Sequence, residues 1–256
     1  MSDFFSKLSN MVTKPSVANE PEFLLLYGRP GGGKTYLAAT ISRVPGVDKV
    51  LIVDTEGSTV GTLNGFDDDK IDIVRVTDFA TFNGVINGLV DAGDENPYDA
   101  VIIDTFDVAQ DWAIEEYEND GRHVNQRGDL DGFAVWRSVK AWTLRIANDL
   151  RNAPFKVVTI FHEVEDKQAN GAMKKNIDIS GAAKNKFPGV PDVVVYLERK
   201  VVKGVAKTVA YFETDDNRVT KNRFGFPPVW EDVSLDDLYA YTHKRAEELN
   251  TNTKEN

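Results

Sequence analysis

Apolar residues along this chain fall into short unbroken runs separated by amphipathic stretches. Phe23-Leu24-Leu25-Leu26-Tyr27, Lys49-Val50-Leu51-Ile52-Val53-Asp54, Ile71 to Val76, Ala100-Val101-Ile102-Ile103-Asp104 and Phe155 to Phe161 each read as a strand. Runs that are apolar at consecutive positions mark strands buried on both faces. Between them the pattern predicts helices from the glycine-rich stretch after Tyr27 to about Arg43, and over about 79–92, 105–118 and 132–152. Pro45-Gly46 ends the first, and Gly93 to Pro97 makes a turn. Strands alternating with helices predict an α/β fold with a mostly parallel central sheet and helices on both faces.

From about residue 190 the pattern changes. Val193 to Arg199 and Thr208 to Thr214 read as strands of an antiparallel hairpin joined through Lys203-Gly204. Ser234 can cap a last helix carrying Leu235, Leu238, Tyr239, Thr242, Ala246 and Leu249 on one face. The expected organisation is an N-terminal arm over 1–21, a core over 22–232, and an amphipathic helix with a polar tail over 233–256. The arm could hold a short helix over Met1 to Met11, broken by Pro15 and Pro21, and residues 250–256 are expected to be disordered.

Composition narrows the class. Hydrophobic content of 41% and charged content of 28% suit a globular chain, and no apolar run approaches membrane-spanning length. The N-terminus lacks the apolar stretch of a signal peptide, so the expected location is cytoplasmic. There is no cysteine, which excludes disulfides and thiolate metal sites, and the three histidines make a structural zinc site a poor fit. A net charge of −11 counts against a surface coated in nucleic acid. It leaves room for a local basic track. Residues 166–186 carry Lys167, Lys174, Lys175, Lys184 and Lys186 against only Asp166 and Asp178.

The chemistry concentrates after the first strand. Gly28 to Thr35 reads G-R-P-G-G-G-K-T, the phosphate-binding loop pattern, between a strand and a helix start. Its glycines let backbone N–H groups point inward at a phosphate, and the helix N-terminus adds positive potential. Gly28, Pro30, Gly31, Gly32, Gly33, Lys34, Thr35 and Tyr36 are the candidate nucleotide cradle. Lys34 would reach the β- and γ-phosphates, and the Thr35 hydroxyl would bind Mg²⁺. Asp104 ends its strand as a Walker B carboxylate, expected on a strand next to that of the phosphate loop, and is the second candidate Mg²⁺ ligand. Thr105 stands where many such enzymes carry a catalytic glutamate. Glu56, just past the second strand, is the best candidate to polarise water against a γ-phosphate, the alternative being a solvated loop carboxylate.

These features resemble the RecA-like P-loop ATPases: the G-x-x-x-x-G-K-T loop, a glutamate just after the second strand, and a Walker B aspartate followed by Ser or Thr. Lys221-Asn222-Arg223-Phe224-Gly225 is similar to the K-N-R-F-G segment of RadA-type members. The resemblance covers roughly 22–230 and implies ATP and Mg²⁺ as cofactors and a homo-oligomeric ring or filament. Lys221 and Arg223 would then act across the subunit interface on the neighbour's γ-phosphate; the bland alternative is a basic turn. His162, after the fifth strand, would take the place of a γ-phosphate-sensing polar residue that is often Gln, or be a packing histidine. Two long segments lie where the family keeps DNA-binding loops. One is Glu163 to Pro188, with Lys167, Lys174, Lys175, Lys184 and Lys186; the other is Asn119 to Gly132, with Arg122 and Arg127. Either could equally be a solvated surface loop. The form looks like core-only RecA-type ATPases of bacteriophages, which act in recombination and single-strand annealing. That implies single-stranded DNA and a single-strand-binding protein as partners, and no membrane. Alternative functions are a ring-forming helicase-like or packaging-type motor, and a nucleotide switch or small-molecule kinase.

Overall fold

The structure, a computed structural model, describes residues 20–67, 69–168 and 171–254, with side chains to Glu248. The expected arm therefore lies outside the described residues except for Glu20 and Pro21. Among the described residues no helix is long and apolar enough to cross a membrane.

The strands are β1 (Phe23–Gly28), β2 (Val50–Asp54), β3 (Ile71–Arg75), β4 (Ala100–Asp104), β5 (Lys156–Lys167), β6 (Met173–Ile177), β7 (Val193–Val202), β8 (Val205–Tyr211), β9 (Lys221–Asn222) and β10 (Val229–Glu231). The helices are α1 (Lys34–Ala39), α2 (Phe79–Asp91), α3 (Phe106–Asn119), α4 (Gly132–Arg151) and α5 (Leu235–Lys254). The main sheet runs β10-β8-β7-β1-β5-β4-β2-β3, with β6 on β5 and β9 on β7. From β7 to β3 every neighbouring pair is parallel. The fold is thus α/β, with the expected mostly parallel sheet and a C-terminal antiparallel hairpin.

Alternation along each strand divides the core. Phe23, Leu25 and Tyr27 of β1 pack with residues of α2, α3 and α4, including Phe82, Phe106 and Trp142. Leu24 and Leu26 face the opposite way, toward Leu37 of the phosphate-loop helix, Ile41 of the 3-10 turn after it, and Leu235, Leu238 and Tyr239 of α5. This period of two on a strand covered on both faces is what an unbroken apolar run encodes. Helix starts follow their caps: Asp78 accepts the N–H of Thr81, Asp131 accepts those of Phe133 and Ala134, and Ser234 and Asp237 bond reciprocally.

Four sequence expectations change. The β4 strand is not next to β1, because β5 inserts between them and pairs with both. Next, the segment from Glu163 is not one long loop. β5 runs on to Lys167 and folds back antiparallel through β6, setting Glu165 opposite Lys175 and Asp166 opposite Lys174. Opposite charges facing across a ladder favour a hairpin, so a polar segment without an apolar run still makes strands. Third, β7 is more than one arm of a terminal hairpin. Its first half lies parallel to β1 as a sixth parallel strand, and only then does it pair with β8 through a tight turn at Lys203 and Gly204, both with positive φ. Finally, the tail expected to be disordered from 250 is helical to Lys254.

Candidate active site

The parallel strands end together at one edge of the sheet, and their last residues bring the candidate groups into one place. Gly28 lies opposite His162, and Asp104 lies opposite both Asp54 and Ile160. Between β1 and α1 the phosphate loop curls with Gly33 at φ 90, a left-handed conformation that disfavours side chains. Gly28 is required for a different reason: a Cβ there would sit 2.2 Å from the Leu197 carbonyl oxygen on β7.

Lys34 is buried, and its ammonium donates to the carbonyls of Gly28 at 2.9 Å and Arg29 at 3.0 Å. Burial lowers its pKa, while Asp104, Asp107 and Glu56 pull the other way. The Thr35 hydroxyl donates to Asp104 Oδ2 at 2.8 Å, and Thr59 donates to the same oxygen at 3.3 Å. Burial pushes the Asp104 carboxyl up to about 6, with Glu56 and Asp54 adding repulsion against the Thr35 hydrogen bond. A hydroxyl and a carboxylate in contact beside a phosphate cradle fit Mg²⁺, which takes one or two carboxylates plus substrate phosphates and waters. Among the described residues no group of three or more His, Cys, Asp or Glu side chains is arranged so that it could hold a metal ion.

Glu56 is held by its own turn. Asp54 Oδ1 accepts the N–H of Glu56 at 3.0 Å and of Gly57 at 2.6 Å, and Arg75 comes to 3.4 Å of the same oxygen. Thr55 ties this turn to β4: its N–H donates to the Asp104 carbonyl at 2.8 Å, and its hydroxyl accepts the Thr105 N–H at 2.7 Å. Glu56 and Asp104 are therefore fixed relative to one another. His162 completes the edge, with Nε2 3.3 Å from Glu56 Oε1 and Nδ1 2.7 Å from Asp107 Oδ2. Asp107 also accepts the His162 backbone N–H at 3.1 Å. The Asp107 hydrogen bond raises the His162 pKa, burial opposes it, and Glu56 adds to the rise. From sequence Asp54 is placed only as the end of a strand, and Asp107 and Thr55 are assigned no role. The readable sign was position: Asp107 lies in the first turn of the helix after Asp104, and Asp54 ends a strand two residues before Glu56.

Lys221 and Arg223 are elsewhere. β9 pairs with the start of β7, at Val193 and Val194, which are level with Leu24 and Leu25. At roughly 3.3 Å per residue they stand about 10–16 Å down the sheet from Gly28, toward the opposite edge. Lys221 Nζ donates to the carbonyls of Gly189 and Pro191, and Arg223 Nη1 lies 3.3 Å from Asp192 Oδ1.

The candidate DNA residues also separate. Lys175 Nζ is 2.6 Å from the Tyr196 hydroxyl, Lys184 is paired with Asp166 at 3.0 Å, and Arg122 with Asp120 at 2.7 Å. Lys167, Lys186 and Arg127 are exposed, and Lys174 is half-buried. The Glu163–Pro188 segment meets the helix that follows the other candidate loop: Trp136 of α4 packs so closely on Gly181 that a Cβ there would lie 3.1 Å from its ring. Beside Trp136, Phe133 is 94% exposed, and Leu130 and Val124 are exposed with it. The sequence reading missed this aromatic pair because it falls just past the polar loop, inside a predicted helix.

Residues 20–224 match a protein family described as an AAA domain. No curated protein sequence matches the chain. Among solved structures, a KaiC-like protein from the hyperthermophilic archaeon Pyrococcus horikoshii OT3 aligns with a TM-score of 0.46 and 15% identity, over 82% of this chain and 88% of that one.

Proposed function

This chain belongs to the AAA domain family, and from that premise we propose that it hydrolyses ATP between copies of itself while engaging single-stranded DNA. The observation that carries the ATPase reading is the meeting of Thr35, Asp104, Glu56 and His162 at the mouth of the phosphate loop. In this reading Lys34 leaves its carbonyl partners for the β- and γ-phosphates, which replace the solvation that burial denies it. Thr35 and Asp104 would hold Mg²⁺, which when bound would neutralise phosphate charge. Glu56, fixed by Asp54, accepts a hydrogen bond from the attacking water and aligns it on the γ-phosphorus. His162, whose protonated form the Asp107 hydrogen bond favours, offers a donor to the charge that develops on the γ-phosphate oxygens.

The nucleic-acid part rests on the surface where the Glu163–Pro188 segment meets α4. Phe133 and Trp136 offer rings on which unpaired bases can stack, and Arg127, Arg137 and Lys186, on the two candidate segments and α4, are exposed for phosphates. Such a track is local, in keeping with the chain's net charge of −11. A role in recombination or annealing follows from this reading together with the RecA-like motifs.

The test uses the full chain. Turnover of ATP with Mg²⁺ is expected and should vanish in Lys34→Ala. Fluorescence anisotropy with a labelled single-stranded oligonucleotide should show binding that tightens with a non-hydrolysable ATP analogue and weakens steeply with salt. Turnover without oligonucleotide binding at low salt, in either nucleotide state, would remove DNA from the proposal and leave the ATPase.

A further inference from the structure

Past Thr35 the phosphate loop runs into an aromatic cluster that core packing does not explain. Tyr36 is 47% exposed. The Phe66 ring meets it edge to face, with centroids 5.3 Å apart and planes at 69°. The guanidinium carbon of Arg43 lies 4.8 Å from the Phe66 centroid and 5.9 Å from that of Tyr36. The three come from separate places: the first turn of α1, the end of the 3-10 turn that extends it, and the loop that begins at Glu56. Neither Tyr36 nor Phe66 belongs to either core cluster. A half-exposed tyrosine braced by a second ring and a cation is a rigid apolar platform, kept at the surface where it buries little of its own area.

We propose that this platform is the nucleobase subsite, with the base of the bound nucleotide stacked on the Tyr36 ring. The inference rests on the P-loop reading of Gly28 to Thr35. In that reading the γ-phosphate end points toward Asp104, Glu56 and His162. The phosphate chain then tracks the loop's N–H groups into the first turn of α1, so the nucleoside leaves the cradle beside Tyr36. Phe66 holds the Tyr36 ring from the side, and Arg43 holds Phe66. Any base offers a face to stack on, so the platform gives affinity for a nucleotide over bare phosphates and little discrimination among bases. It also connects base occupancy to the loop that carries Glu56, because Phe66 lies in that same loop.

The experiment compares ATP with inorganic tripolyphosphate, each with Mg²⁺, as competitors for a fluorescent ATP analogue bound to the full-length protein. Wild type should bind ATP at least tenfold more tightly than tripolyphosphate. In Tyr36→Ala that ratio should collapse about tenfold through loss of ATP affinity alone, the size expected for removing one stacking ring. Tyr36→Phe should keep the ratio, and Phe66→Ala should lower it partly. A ratio unchanged in Tyr36→Ala overturns the proposal. So does an equal loss for both ligands, which would mean that the cluster only braces the loop. If wild type binds neither ligand, the P-loop reading itself fails, an outcome distinct from both.

Discussion

Asp104 is a carboxylate that the nucleotide-free fold holds at a cost. It is 3% exposed, and its hydrogen bonds come from two neutral hydroxyls. Burial raises it from 3.8 to about 6, so the folded state binds its proton more tightly than the unfolded state does. Its contribution to stability is therefore complete below about 3.8 and is lost as pH rises through about 6. At about 1.4 kcal/mol per unit, the loss at pH 8 is at most ~3 kcal/mol. Asp104→Asn should raise the thermal midpoint of the nucleotide-free protein at pH 8, lose that advantage near pH 4, and abolish hydrolysis. A midpoint at pH 8 equal to wild type would mean that the carboxylate is not strained. His162 shows the opposite arrangement: the Asp107 hydrogen bond favours its charged form, against burial. The groups around it are Asp107, Glu56, Lys34 and, farther out, Asp178. If its protonated form serves the reaction, turnover falls as pH rises through its raised value. Asp107→Asn should move that fall to lower pH and cut kcat roughly tenfold to a hundredfold with KM for ATP nearly unchanged. A uniform loss at every pH would assign Asp107 a structural role only.

Elements built from apolar runs were legible, because burial on both faces writes itself into consecutive positions. β1, β2 and β4, with their edge residues Gly28, Asp54 and Asp104, could be placed from sequence, and so could Glu56 just beyond. Elements whose pairing depends on distant partners were not. The insertion of β5 between β1 and β4 is a matter of topology, which no local pattern carries. The β5–β6 hairpin is polar, and its lysines read as free for phosphate until Glu165 and Asp166 are seen facing them. His162 could be located, but its link to Asp107 needed the start of α3 brought against β5. The last helix is the instructive case. Its apolar face was readable, yet its docking was not. Thr40 at the end of the phosphate-loop helix accepts the Leu235 N–H at 2.8 Å, and Tyr239 donates to the Pro21 carbonyl at 2.6 Å. α5 thus clamps the helix that bears Lys34 and Thr35 as well as the entry to β1. Leu238, fully buried, is the natural probe. Leu238→Ala should cost about 2–4 kcal/mol in denaturant unfolding. Because the clamp bears on α1, nucleotide affinity should fall with it; an equal loss of stability with affinity untouched would confine α5 to packing.

Across the whole molecule the sheet presents two chemically different edges. One carries the phosphate loop, Asp104, Glu56 and His162; toward the other stand Lys221 and Arg223, too far down the sheet to reach the same nucleotide. Arg223 is 53% exposed on its side chain, though Asp192 is beside it, and Lys221 has its pKa lowered by burial and by Arg223. Lys221 is engaged by the carbonyls of Gly189 and Pro191, so Arg223 is the cation of the pair that an anion from outside would meet first. A second copy stacked head to tail would bring its phosphate-loop edge to them, a heterologous contact that repeats into a ring or a filament. Arg223→Ala should then lower kcat by about 10³-fold or more while leaving ATP binding intact, as for a cation supplied in trans. Mixing supplies the decisive measurement. Lys34→Ala subunits keep the basic pair but lose the cradle, and Arg223→Ala subunits keep the cradle but lose one cation. Each alone should be inactive. At equal amounts, about a quarter of head-to-tail junctions would join an intact cradle to an intact Arg223, so ATPase should recover to about a quarter of wild type. Recovery should rise and fall with the mixing ratio and disappear on dilution below the assembly concentration. Strict inactivity at every ratio, with light scattering showing that the subunits co-assemble, would place the Lys221–Arg223 pair outside the reaction.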